Sequence, residues 1–72
     1  MDRVRFNYSK LKGRIKEKCG SQRAFSRLLD VSEATLTSKL KCDTYFTQSE
    51  IWKSAKILEI EPNMVAQYFF TL

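Results

Sequence analysis

The sequence predicts an all-α fold: a compact five-helix bundle with a helix-turn-helix at its centre. Apolar residues recur at spacings of three and four, which is the signature of helices with one buried face. A residue suited to capping stands at each break between these stripes. The length of 72 residues leaves room for one domain, 1–72, and for no barrel or doubly wound sheet. A chain this short buries only about 60% of the surface that its unfolded form exposes, so its core has to be simple.

Residues 1–7 read as an N-terminal arm that alternates charged and apolar side chains, Asp2, Arg3, Val4, Arg5 and Phe6. Either a flexible basic arm or a short edge strand fits that pattern. Asn7 is placed to cap the first helix. Tyr8, Leu11, Ile15 and Cys19 then form one apolar stripe, with Lys10, Lys12, Arg14, Lys16 and Lys18 on the other faces. Gly20 ends this helix, because glycine accepts the left-handed conformation of a C-cap without strain. Ser21 caps a second helix that turns Phe25 and Leu29 inward, and Ser32 caps a third with Leu36 and Leu40 one turn apart. Two short helices joined so tightly form a helix-turn-helix over residues 21–41. Thr47, Gln48, Ser49 and Glu50 make a capping box, with Phe46 and Ile51 set as its hydrophobic staple. That fourth helix runs on through Ala55 and Leu58. Pro62, suited to a first helical position, opens a last short helix carrying Met64, Val65 and Phe69 on one side.

Composition narrows the function further. No stretch reaches the roughly 18 apolar residues of a membrane span, and residues 1–8 are too charged for a secretory signal. Cys19 and Cys42 have no metal-ligand spacing, and the chain contains no histidine; buried thiols in a reducing cytoplasm are the simplest reading. No glycine-rich phosphate loop is present and no serine or cysteine has a base beside it, so neither a cofactor nor catalysis is expected. Glu59 and Glu61, which flank Ile60, read as helix-end charges. The net charge of +5 is uneven: residues 1–23 carry +6, residues 24–46 are neutral and residues 47–72 carry −1. A basic first third suggests a polyanion partner, although basic helices also serve solubility alone.

Residues 22–41 resemble the helix-turn-helix of phage repressors and Cro proteins. The shared pattern opens on Gln22 and places apolar residues at Phe25, Leu29, Val31 and Leu36; Ser32, Glu33, Ala34, Thr35 and Leu36 match the opening of the recognition helix. Two positions depart from it. Asp30 stands where the turn usually has glycine, and Ser26 replaces a small alanine or glycine. Asp tolerates a left-handed backbone better than most residues, and Ser26 is still small. The stretch Tyr8-Ser9-Lys10-Leu11-Lys12-Gly13 and the ending Tyr68-Phe69-Phe70 are similar to small regulators of temperate phages of Gram-positive bacteria. Among these, the modulator-of-repression proteins of lactococcal phages come nearest. Membership would imply a bacterial host cytoplasm, a role in the lysis–lysogeny switch, and a CI-type repressor as protein partner.

The resemblance assigns the outward face of the recognition helix to Ser32, Glu33, Ala34, Thr37, Ser38 and Lys41. Major-groove reading relies on Arg or Lys for guanine and on Asn or Gln for adenine. This face offers one lysine at its far end and an acid near its start. Gln22, Lys10, Lys12, Arg14 and Lys39 are candidates for phosphate contacts of low selectivity, though Gln22 also reads as an ordinary first-turn surface residue. Leu28, Trp52, Tyr68 and Phe70 fall beside the inward stripes and are candidates for a protein interface; wrapping the small core is their other reading. Two functions follow as expectations. One is a modulator or antirepressor that binds the CI-type repressor and alters its operator binding. The other is a Cro-like homodimer that reads operator DNA directly. Neither requires a membrane or a small-molecule substrate.

Overall fold

The computed structural model describes residues 4–72. Five helices follow one another: α1 (Ser9–Cys19), α2 (Gln22–Leu29), α3 (Glu33–Leu40), α4 (Gln48–Ile57) and α5 (Val65–Phe69), the last preceded by a 3-10 turn at Pro62–Met64. No strand occurs among the described residues, and the architecture is all-α.

The boundaries follow from local chemistry. Ser21 and Ser32 accept the amides of Ala24 and Thr35 at the starts of α2 and α3. Thr47 and Glu50 close a complete capping box on α4, each side chain taking the other's backbone N–H. Gly20, with φ 86°, ends α1 by donating its amide to the Lys16 carbonyl. Asp30 adopts φ 65° in the turn between α2 and α3, the left-handed conformation that its short polar side chain tolerates. Asn7 is not the N-cap of α1. Tyr8 holds that position, and the Asn7 carboxamide accepts the Ser9 amide at 2.9 Å. Tyr8 is drawn into the core, so the capping oxygen reaches the helix from one residue further out.

The core gathers Leu11 and Ile15 from α1, Phe25 and Leu29 from α2, Leu36 and Leu40 from α3, then Leu58, Ile60 and Phe69. Tyr8, Phe46 and Phe69 pack edge to face in succession, with ring centroids 5.7 and 5.3 Å apart, a geometry that favours aromatic pairs beyond their buried area. Ser26 on α2 and Ser54 on α4 are both buried, and α2 packs against α4. Among the helices, α3 packs chiefly on α2.

Residues 1–3 of the expected arm lie outside the described residues. The rest of it is neither a flexible arm nor an edge strand. Val4 accepts the Tyr45 hydroxyl at 2.7 Å, and Asn7 donates its amide to Thr71 at 2.6 Å. The Phe6 amide meets the Cys42 sulfur at 3.3 Å. Phe6 also stacks edge-on against Tyr45 and Phe70. The segment thus straps the loop after α3 to the C-terminal end. Cys42 is buried at φ 65°, Cys19 is half-buried, and neither forms a disulfide.

Candidate interaction surface

The outward side of α3 is set by its inward one. Leu36, Lys39 and Leu40 are buried, which turns Glu33, Ala34 and Thr37 to solvent and leaves Ser38 half-buried. Ser32 is exposed, but its hydroxyl is engaged as the helix cap and donates to Thr35 Oγ1 at 2.9 Å. Glu33 stands in the first turn, with its carboxylate 3.9 Å from Arg23 Nε on α2. Both side chains are largely exposed, so this contact is weak. Lys41, just past the helix, keeps an exposed side chain while its carbonyl accepts from Arg5 at 3.4 Å.

Two of the expected phosphate contacts point inward. Lys39 is buried: its ammonium lies 2.8 Å from Glu50 Oε1 and donates to the Tyr45 carbonyl at 3.0 Å. A buried ammonium must be paired and hydrogen-bonded, and here both partners come from the α3–α4 loop and the first turn of α4. The same Glu50 oxygen accepts the Thr47 amide at 2.8 Å. Burial pushes the Glu50 carboxyl up, but the hydrogen bonds from Lys39 and Thr47, with the charge of Lys39, outweigh it and hold the group below its usual range. Arg14 is likewise occupied. Its guanidinium donates to the Leu58 and Glu59 carbonyls, both at 2.9 Å, and pairs with Glu17 at 3.1 Å. It closes the C-terminal end of α4, where Glu59 turns back at φ 55°.

Of the remaining cations, Lys10 is exposed but leans on α5, donating to Gln67 at 2.9 Å and lying 5.0 Å above the Tyr68 ring. Lys12 and Gln22 are exposed and line one shallow hollow with Lys16, Gly20 and Ser21, where α1 meets the start of α2. The place of Lys16 there could have been anticipated, since it follows Lys12 by one helical turn.

The apolar candidates divide. Leu28, Trp52 and Phe70 are 61%, 64% and 52% exposed, whereas Tyr68 is half-buried and packs against the core. Trp52 lines a groove of about 400 Å³ with Ile51, Ala55, Ile60, Pro62 and Val65, and Lys56 lies 5.1 Å over its ring. Phe70 lines a second apolar hollow with Val4, Phe6 and Tyr45. Val4 belongs to the alternating pattern of the arm and Tyr45 to no apolar repeat; neither lies in a helix. Among the described residues no group of three His, Cys, Asp or Glu is placed to hold a metal, and no helix is long and apolar enough to cross a membrane.

Comparison with known proteins bears on this surface. A family described as a protein of unknown function, DUF739, matches residues 4–72. The chain belongs to the DUF739 family. The solution structure of the modulator of repression of the temperate bacteriophage TP901-1 from Lactococcus lactis is similar to this DUF739 chain, with 37% identity and a TM-score of 0.81. The match covers 93% of this chain and 90% of that one. The similarity to the modulator-of-repression proteins of lactococcal phages, expected from residues 22–41 and the two ends of the chain, therefore extends over nearly the whole fold. Comparison with curated proteins gives no match.

Proposed function

We propose that this DUF739 protein is a regulator of a temperate phage's lysis–lysogeny switch, acting in the host cytoplasm as a modulator or antirepressor. In this reading α2, the turn and α3 form a helix-turn-helix that engages a CI-type repressor and alters the repressor's operator binding. One observation carries it: with Lys39 buried in its ion pair, the exposed side of α3 presents Glu33, Ala34, Thr37 and a single cation, Lys41, among the described residues. A major-groove reader needs guanidinium or carboxamide groups there. An acid at the tip of the motif is suited instead to the basic face that a repressor turns to DNA, where it would compete with phosphate. The exposed aromatic rings of Trp52 and Phe70, with Leu28, add apolar surface to which a protein partner can bind. The name of the similar TP901-1 protein supports the same assignment.

The direct test is co-purification with the cognate CI-type repressor, followed by DNA binding of each protein and of the mixture. Glu33→Lys should abolish the complex while the circular dichroism spectrum stays that of the folded protein, with only the small fall in melting temperature expected of a cation in the first turn of α3. Undiminished capture of repressor by that variant removes Glu33 from the interface.

A Cro-like operator binder is the second reading. It is favoured by Lys12, Lys16 and Gln22 around the start of α2, a placement suited to phosphate oxygens. Tight, sequence-selective operator binding by the purified protein alone would establish it.

A further inference from the structure

α3 carries the face assigned above to the partner, yet its main helical support is α2 alone. Leu36 and Leu40 anchor its inward side in the core. Two polar contacts add to this around its C-terminal end. The arm meets residues 41 and 42 through Arg5 and Phe6, and Lys39 reaches out of the last turn to Glu50 and to the Tyr45 carbonyl.

The Lys39 contact is the stronger of the two on physical grounds. Its ammonium is 2.8 Å from the carboxylate, the lysine and glutamate side chains are 8% and 19% exposed, and the cation also lies 5.8 Å from the Phe46 ring. Solvent screening is small at such a site. Glu50 is itself immobilised, because it closes the capping box of α4. A charge on α3 is therefore clamped to a fixed acceptor on α4, and the carbonyl of the intervening loop is bound by the same ammonium.

We propose that Lys39 and Glu50 are positioning residues for the recognition face: their buried ion pair fixes the pose of α3 on the α4 cap and so controls partner binding without touching the partner. This inference rests on the repressor-binding reading for its consequence, but not for the pose itself. Buried pairs of this kind are often neutral for stability when both partners are replaced, and are retained in several proteins because they specify one arrangement.

The experiment compares the wild type with Lys39→Met, Glu50→Gln, the double variant and Arg14→Gln. Met keeps the length of the lysine stem and removes the ammonium, whereas Gln keeps the capping-box acceptor and removes the charge. Arg14→Gln weakens the opposite end of α4 and leaves α3 untouched, so it serves as a control for stability loss alone. Amide NMR spectra of each free protein report the pose, and titration with the cognate CI-type repressor reports its effect.

The expected result is displaced resonances at Glu33, Ala34 and Thr37 in both single variants, with α1 and α5 unmoved. Repressor affinity should fall roughly tenfold, a size typical of residues that act on an interface from outside it. The double variant should be no worse than either single one, as befits one coupled unit. Lys39→Arg, which keeps a cation and its hydrogen bonds, should recover most of the loss, and Arg14→Gln should bind like the wild type. Unchanged α3 resonances, or affinity losses that follow melting temperature equally in Arg14→Gln and Lys39→Met, would overturn the proposal. If Lys39→Met does not fold, Glu50→Gln decides by the same two readouts. If the wild type binds no repressor, the functional reading fails and the positioning role is judged on the resonances alone.

Discussion

Arg14 and Lys39 share a position. Each follows a buried leucine by three residues, Leu11 and Leu36, and each precedes another buried apolar residue, Ile15 and Leu40. A long cation at such a flank lies over the edge of the core, and its charged end can reach the carbonyls of a neighbouring segment. Arg14 takes the carbonyls of Leu58 and Glu59, and Lys39 takes that of Tyr45. Arg14→Gln should therefore destabilise the fold by about 0.5–1.5 kcal/mol, the net range of a hydrogen bond whose acceptor water can still reach. Urea unfolding measures this directly; a loss below a few tenths of a kcal/mol would show those carbonyls to be satisfied by water. The sequence alone reads both as outward cations and as candidate phosphate contacts. What they reach was not legible, because Leu58 and Glu50 lie 44 and 11 positions along the chain, and apolar periodicity reports which side of a helix is buried but not what faces it.

At the scale of elements, the caps were the most legible feature, since an Ncap hydroxyl and a capping box depend on residues within one turn of each other. Ser21, Ser32, Thr47 and Gly20 each act where local chemistry places them. The arm was illegible for the converse reason. Its partners, Thr71, Tyr45 and Cys42, come from non-helical segments, and no repeat marks a strap held by single contacts. The joint between α3 and α4 also has a pH signature. Glu50 titrates below its usual range in the folded chain, so its contribution to stability is complete above the unfolded carboxyl value of about 4.3. That contribution declines as pH falls through the lower folded value. Urea midpoints measured at pH 7 and pH 3 should differ more for the wild type than for Glu50→Gln. Equal differences would mean that other carboxylates carry the acid limb.

At the scale of the whole molecule, the charge is turned away from the face that would read bases. The excess of +6 in residues 1–23 lies mainly on α1, and part of it is consumed internally by Arg14 with Glu17 and by Lys18 with Glu59. Lys39 is withdrawn into its ion pair with Glu50, and the exposed cations left beside the outward side of α3 are Lys41 and, on α2, Arg23, which lies 3.9 Å from Glu33. A duplex approaching α2 and α3 would then meet a few cations, Lys12 and Lys16 of α1 and Arg23 of α2, with Gln22 as a neutral donor beside them, and an acid where a base edge should be read. The number of phosphates neutralised sets how steeply binding weakens with salt, with a slope of about 0.9 per contact in a log–log plot. Two or three such contacts predict a slope of about 2–3, together with equal affinity for operator and scrambled duplexes. Fluorescence anisotropy across a salt series measures both quantities for the protein alone. A slope of about 6 or more, as expected of a repressor making that many phosphate contacts, combined with preference for the operator, would place DNA rather than a protein on α3. A shallow slope without preference leaves α3 to a partner whose surface is basic, and Glu33 then opposes a cation instead of a phosphate.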